Sequence, residues 1–254
     1  MSFDVGADAY GRFMGRYSEP LAGRFADFSG VAQGQRALDV GCGTGALTAE
    51  LVGRLGAGAV SAVDPSEAMV AAARARFPEV DIGRAAAERL PFPDDAFDVT
   101  CAQLVVHFMN DPVAGLRDMA RVTRHGGAVT ACVWDHAGGS GPLATFWRAV
   151  KDLDPHARDE SALAGVREGH LAELFGAAGL RDVVSTALTV QTTFASFDEW
   201  WEPFTLGVAP AGEYVHGLDP RDREALRDRC AALLPRAGTF DIVASAWATL
   251  GRVP

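Results

Sequence analysis

The sequence predicts an α/β fold built on a parallel sheet, and three observations predict it. Short apolar runs alternate with helix-period stretches from Ala37 to Trp134. The first run, Ala37-Leu38-Asp39-Val40, ends in glycines at alternate positions, Gly41, Gly43 and Gly45, just before an apolar-periodic segment. The second run closes on an acid, Asp64. Strands joined by crossover helices give βαβ units, and ligands of such sheets bind beyond the carboxyl ends of the strands.

The elements follow in order. Residues 1–30, with Tyr10, Phe13, Met14, Tyr17, Leu21, Phe25 and Phe28, predict one or two amphipathic helices covering the sheet edge or the cleft. The first strand covers 37–41 and its helix 46–55. The second strand covers 59–64, and a helix from Ser66 stops before Pro78. A short third strand lies near 80–82, and a loop over 85–96 leads into a fourth strand over 97–102. Asp111-Pro112 is an N-cap followed by proline, so a helix runs from there to about residue 123. Gly126-Gly127 ends that region, and a fifth strand covers 128–134. Beyond a Gly-rich loop at 136–142, one or two helices occupy 143–165 and another 168–178. The segments 182–194 and 239–249 have strand periodicity. Asp219-Pro220 opens a helix that ends before Pro235.

The chain has 254 residues, a net charge of −10 and four cysteines, Cys42, Cys101, Cys132 and Cys230. The acidic balance argues against a nucleic-acid surface. No Cys-x-x-Cys pair occurs, so buried free thiols are expected. No metal site is expected, since no acid/His cluster has metal-ligand spacing. The N-terminus lacks the pattern of a secretory signal, and no run approaches a membrane span. The expectation is a cytoplasmic protein acting on a small molecule, with neither nucleic acid nor membrane as partner. Its oligomeric state does not follow from the sequence.

The glycine turn admits two nucleotide-type readings. Its spacing is Gly-x-Gly-x-Gly rather than the dinucleotide Gly-x-Gly-x-x-Gly, with Ala46 at the last fingerprint position. Asp64 beside the turn suits vicinal ribose hydroxyls, which both a dinucleotide and an adenosyl cofactor possess. The plainer reading of Asp64 is a helix cap before Pro65.

Four stretches separate the readings. They are Leu38 to Gly45, Val63-Asp64-Pro65-Ser66-Glu67-Ala68-Met69, Ala87 to Asp98, and Leu116 to Gly127. In this order and spacing, the chain resembles the class I S-adenosylmethionine-dependent methyltransferases, in the ubiquinone/menaquinone-biosynthesis (methyltransferase type 11) small-molecule branch. The match is good over residues 30–135. The resemblance implies a Rossmann-like seven-stranded sheet in the order 3-2-1-4-5-7-6, with strand 7 antiparallel. It implies a single methyltransferase domain over 1–254, with 1–30 as an N-terminal cover and 136–165 and 196–238 as lid insertions.

S-adenosylmethionine is then the expected cofactor and S-adenosylhomocysteine the product. The turn, Gly41, Cys42, Gly43 and Gly45, would present main-chain groups to the amino-acid end. Asp64 would take the ribose, and Pro65, Ser66 and Met69 would flank the adenine, although helix packing explains Ser66 and Met69 as well. Ala87 would offer its backbone N–H to an adenine ring nitrogen. Ala86 stands where the family often has an Asp, and Glu88 is the local replacement. Gln103 would reach the ammonium or sulfonium side. Arg16 would clamp the carboxylate, against the plainer reading of a solvated arginine.

Methyl transfer is an in-line displacement that needs alignment and exclusion of water. A base is needed only where the acceptor must lose a proton early. His107 and His136 are the candidates and His216 the third. Trp134, Trp147, Trp200, Trp201 and Tyr214 predict an apolar, aromatic-lined pocket for a small metabolite methylated on O, N or C; alternatively they only hold the lid to the sheet. Two rival functions stay open: a nicotinamide-dependent oxidoreductase on a Rossmann fold, and a non-catalytic S-adenosylmethionine-binding module.

Overall fold

Side chains on adjacent strand positions enter two different cores. Leu38, Val40, Ala102, Val129 and Val133 pack on one face of a sheet, and Ala37, Cys101 and Cys132 on the other. This period of two on both faces explains why the strands read as continuous apolar runs. The computed structural model describes residues 11–235 and 238–254. The first ten residues of the expected N-terminal cover, Tyr10 among them, lie outside the described residues.

The strands are β1 (Ala37–Val40), β2 (Val60–Asp64), β3 (Asp81–Arg84), β4 (Phe97–Gln103), β5 (Thr123–Trp134), β6 (Arg181–Phe194) and β7 (Phe240–Arg252). They form one sheet in the order β3-β2-β1-β4-β5-β7-β6. The first five pair in parallel, and β7 runs antiparallel between β5 and β6. Order and direction are those the family resemblance implies. The helices are α1 (Arg16–Phe28), α2 (Ala46–Leu55), α3 (Glu67–Arg76), α4 (Pro112–Val122), α5 (Ala144–Leu153), α6 (His170–Ala177), α7 (Phe197–Trp201), α8 (Ala209–Gly217) and α9 (Pro220–Leu233).

One face of the sheet carries α1 and α2, with Leu21, Phe25, Leu47 and Leu51 buried. The opposite face carries α4 and α6, with Leu116, Met119, Leu171 and Phe175 buried. Burying each such side chain stabilises the fold by about 1.5–3 kcal/mol. Asp111 caps α4 through Ala114 N–H at 3.0 Å, with Pro112 at its first position, as its dipeptide predicts. The four cysteines are free and buried.

Several boundaries differ from the sequence reading. The strand β5 begins at Thr123 rather than Ala128, so Gly126-Gly127 lies inside a strand instead of ending a helix. The register shifts there, and Phe97 pairs with Thr123. Gly126 has φ +72°, and a Cβ on Gly127 would fall 2.6 Å from Thr123 Cγ2. Both glycines therefore serve an irregular strand entry. The last strand reaches Arg252 rather than residue 249, because β5 offers partners as far as Ala128 opposite Arg252. One helix, α5, forms between 143 and 165, and the aromatic stretch after β6 folds into α7, a 3₁₀ turn and α8. No helix among the described residues is long and apolar enough to cross a membrane.

Candidate functional site

The carboxyl ends of β1, β2, β4 and β5 bring Gly41, Asp64, Gln103 and Trp134 to one side of the sheet. Gly41, Gly43 and Gly45 have φ of +74°, +54° and +89°. Left-handed backbone at three alternate positions is the physical reason for the glycines. A Cβ on Gly41 would lie 2.4 Å from Val105 Cγ2, and one on Gly45 would lie 2.5 Å from Phe77 Cε2. A Cβ on Gly43 meets nothing within 4 Å. Gly41 and Gly45 thus admit neighbouring side chains, while Gly43 fronts open space.

The turn is fastened to β2. Gly41 and Cys42 N–H donate to Val63 O at 2.7 and 2.9 Å. Gly43 N–H donates to Asp64 Oδ2 at 2.9 Å, and Ser66 N–H to Asp64 Oδ1 at 2.9 Å. Burial pushes the Asp64 carboxyl up, and these two N–H donors oppose it. Each Asp64 oxygen keeps lone pairs beyond those bonds. Ser66 is the N-cap of α3, accepting from Met69 N–H at 3.4 Å.

Two cavities flank the turn. One of about 80 Å³ is lined by Gly41, Gly43, Asp64, Pro65, Met69, Gln103, Leu104, Val105 and Phe108. A larger one, about 470 Å³, includes Gly41, Pro65, Ala86, Ala87, Glu88 and His107 in its wall. Gln103 donates from Nε2 to Ser18 O at 2.9 Å, which locks the amide. Its Oε1 is buried with no hydrogen-bond partner among the described residues. An orphaned acceptor, an open left-handed glycine and a carboxylate with spare lone pairs fit a ligand with a cationic amine and vicinal hydroxyls. S-adenosylmethionine has both.

The remaining expected cofactor residues divide. Cys42 is buried and its thiol is held well above the usual range by burial, so the turn uses its backbone. Glu88 Oε1 accepts from Asn110 and Asp111 N–H at 2.8 and 3.2 Å, so that oxygen fastens the start of α4 at the cavity wall. Arg16 is not brought to the turn: its guanidinium pairs with Glu199 and lies 4.9 Å over the Phe194 ring. Arg16 is held there because β6 and α7 meet α1 at that corner.

Of the expected substrate residues, Trp134 lines a small cavity with Leu104, His107 and His136, and Trp147 lines an outer cleft. Trp200, Trp201 and Tyr214 instead join an aromatic cluster. Phe204 stacks on Phe146 at 4.5 Å and meets Trp200 at 4.8 Å, and Tyr214 meets Trp147 at 5.9 Å. His107 and His136 come together, with ring centroids 6.0 Å apart. Burial lowers their pKa values to about 3 and about 4. His216 is exposed on α8.

Three residues escaped the sequence reading. Asp39, 1% exposed, accepts from Thr48 Oγ1 at 2.6 Å and lines the turn; burial raises its pKa to about 7. An acid inside a buried strand was the available signal. Leu104 has φ +63° at the carboxyl end of β4, a non-glycine outlier that costs about 1–3 kcal/mol and that no residue pattern announces. Glu160, 4% exposed, accepts from Trp147 Nε1 at 3.0 Å.

Sheet order and glycine turn are those that the class I S-adenosylmethionine-dependent methyltransferase resemblance implies. Residues 38–131 match the family model described as "Methyltransferase domain". The chain is 42% identical over 105 residues to the demethylmenaquinone methyltransferase of Mycobacterium sp. (strain KMS), covering 41% of this chain and 43% of that protein. It is 30% identical over 134 residues to aklanonic acid methyltransferase DauC of Streptomyces sp. (strain C5), covering 50% of this chain and 61% of that one. The matched stretches thus span less than two thirds of these relatives. Phospholethanolamine N-methyltransferase 2 of Haemonchus contortus, solved with phosphomonomethylethanolamine and S-adenosylhomocysteine, shares the fold. Its TM-score is 0.61 at 17% identity, over 99% of this chain and 58% of that one.

Proposed function

We propose that the protein transfers the methyl group of S-adenosylmethionine to an oxygen, nitrogen or carbon of a small apolar or aromatic metabolite. The observation that carries this is the orphaned Gln103 Oε1 beside the open Gly43 and the Asp64 carboxylate. Bound there, the cofactor supplies a sulfonium-activated methyl group.

The chain's own residues then bind and orient. Backbone at Gly41–Gly45 and Gln103 Oε1 hold the amino-acid end, and Asp64 accepts from the ribose hydroxyls. Ala87, Pro65 and Met69 form apolar walls at the adenine end. Leu104, Phe108 and His107 stand between that cleft and the small cavity walled by Trp134 and Leu143. The acceptor's reacting atom belongs at this second space, which is about 30 Å³, is closed by Met14 from the N-terminal cover and Ala209 from α8, and admits a water-sized group rather than a whole metabolite. Water-poor walls favour displacement, because fixed dipoles replace mobile solvent around the reacting atoms. The described parts of the cover and lid segments, residues 11–30, 136–165 and 196–235, enclose it.

The test is transfer of label from methyl-labelled S-adenosylmethionine to a panel of small phenols, amines and polyketide-like aromatics. Labelled product dependent on the folded protein is expected. Tight cofactor binding with no labelled product across the panel and across cell extracts would favour a binding module.

A further inference from the structure

His136 and Glu160 each line two spaces. The inner cavity is closed by Met14, Leu104, His107, Trp134 and Leu143, and the outer cleft, about 360 Å³, opens between α5 and residues 135–141 and 159–161. His107 lines the inner cavity and also borders the cofactor cleft. His107 is therefore at the cofactor end of the inner cavity, and His136 and Glu160 are at the end that opens to the outer cleft.

We propose that His107, His136 and Glu160 form a proton-accepting chain that carries the acceptor's proton from the inner cavity to the outer cleft. The proposal rests on the methyl-transfer reading and names its acceptors as those with a proton to lose, such as an acidic hydroxyl. His107 Nδ1 is buried without a hydrogen-bond partner among the described residues, which leaves an imidazole nitrogen for the acceptor's proton. His107 and His136 meet edge to face at 6.0 Å between ring centroids, and the proposed chain passes the proton between them through one water. His136 Nε2 lies 4.0 Å from Glu160 Oε1. Trp147 Nε1 donates to the other oxygen, Oε2, and so fixes the carboxylate.

The step balances. The acceptor's O–H bond breaks towards His107, and its electron pair forms the new bond to the methyl carbon. The methyl–sulfur bond pair stays on sulfur. The proton passes through His136 to the Glu160 carboxylate and leaves to water in the outer cleft. Both rings are neutral near pH 7 because burial depresses their basicity, so each can pass a proton on but does not retain it. Burial raises Glu160 to about 7. The other charged groups facing this chain are Asp135 and Asp159 beside His136, with Arg148, Lys151 and Asp152 along the outer cleft. Lys151 is paired with Asp159 and Arg229 with Asp152. Glu88 faces His107 from the cofactor cleft.

The experiment is an NMR titration of the protein without cofactor, reading imidazole ¹⁵N and the Glu160 carboxyl ¹³C, for wild type, E160Q and H136N. The amide that E160Q introduces keeps an oxygen for Trp147. A step near pH 7 shared by Glu160 and His136, absent from His136 in E160Q, is expected. A Glu160 step with no response from His136 overturns the chain, and wild type alone gives this result should a variant not fold. With a turned-over acceptor, E160Q is expected to lower kcat about tenfold and remove the limb near pH 7, and H107Q to lower it about a hundredfold. S-adenosylhomocysteine affinity stays unchanged in E160Q. Unchanged kcat and pH profile in E160Q overturn the proposal, whereas loss of cofactor binding by the wild type overturns the methyl-transfer reading instead.

Discussion

Gly43 donates its backbone N–H to Asp64 Oδ2 at 2.9 Å, so the acid expected to meet the cofactor also holds the turn that shapes the cofactor's cradle. Its other oxygen holds Ser66 N–H at the start of α3. Removing the carboxylate therefore costs fold and affinity together. Asp64→Ala leaves two backbone donors unpaired and is expected to destabilise the protein by about 1–3 kcal/mol. Asp64→Asn keeps one oxygen acceptor and is expected to lose less stability while still binding S-adenosylhomocysteine more weakly. Denaturant melts and binding titrations on both variants separate the two effects.

The glycines differ in what they tolerate. Gly43→Ala meets only the left-handed backbone penalty, about 1–2 kcal/mol, because its Cβ finds nothing within 4 Å. Its methyl group instead fills the cradle, so cofactor affinity is expected to fall more than stability. Gly41→Ala and Gly45→Ala add a clash with Val105 or Phe77. Each is expected to cost about 2–5 kcal/mol. Equal thermal shifts for all three would contradict this ordering.

Arg121 ties the loop before β4 to α4. It donates to Leu90 O at 3.0 Å and Phe92 O at 2.9 Å, and pairs with Asp118 and Asp94. Leu90 N–H donates in turn to Asp118 Oδ2 at 2.6 Å. A planar guanidinium serves all of these at once, and an ammonium cannot. Arg121→Lys is expected to lose about 1–2 kcal/mol and to raise amide exchange at residues 90–94. Protection factors equal to wild type would contradict the account.

Stability on acidification reflects opposed groups. The depressed values of His107 and His136 mean the unfolded chain binds more protons below about pH 6.5, so these rings remove stability as pH falls towards about 4. Glu160, raised from 4.5 to about 7, does the reverse: the folded state holds its proton in that window and gains stability as pH falls through it. E160Q removes this offset. Its stability is expected to fall more steeply between pH 7 and 4.5 than that of wild type, by up to about 1.4 kcal/mol per pH unit. Parallel curves would contradict the buried, proton-holding Glu160.

What was legible in the sequence was local. The glycine spacing, the acid that ends β2 and the Asp111-Pro112 cap each state their own geometry within a few residues, and sheet order followed from the family resemblance. Strand entry at Thr123 was hidden because Gly126-Gly127 signals a turn, while the partner strand that draws it into the sheet lies elsewhere in the chain. The aromatic residues named a cluster but not its inner and outer members, since Phe204 stacking on Phe146 joins segments far apart in sequence. The meeting of His107, His136 and Glu160 is likewise a product of long-range packing. Arg16 read as a cofactor clamp because nothing near it in sequence announces Glu199.

The most direct test of the central claim is calorimetric titration of S-adenosylmethionine and S-adenosylhomocysteine into wild type and the Asp64 and Gly43 variants, with NAD as the control. Micromolar binding of both ligands by wild type is predicted, weakened at least about tenfold in Asp64→Ala, equivalent to about 1.4 kcal/mol, with no heat from NAD. A folded wild type that binds neither ligand, or binds NAD as tightly, would contradict it.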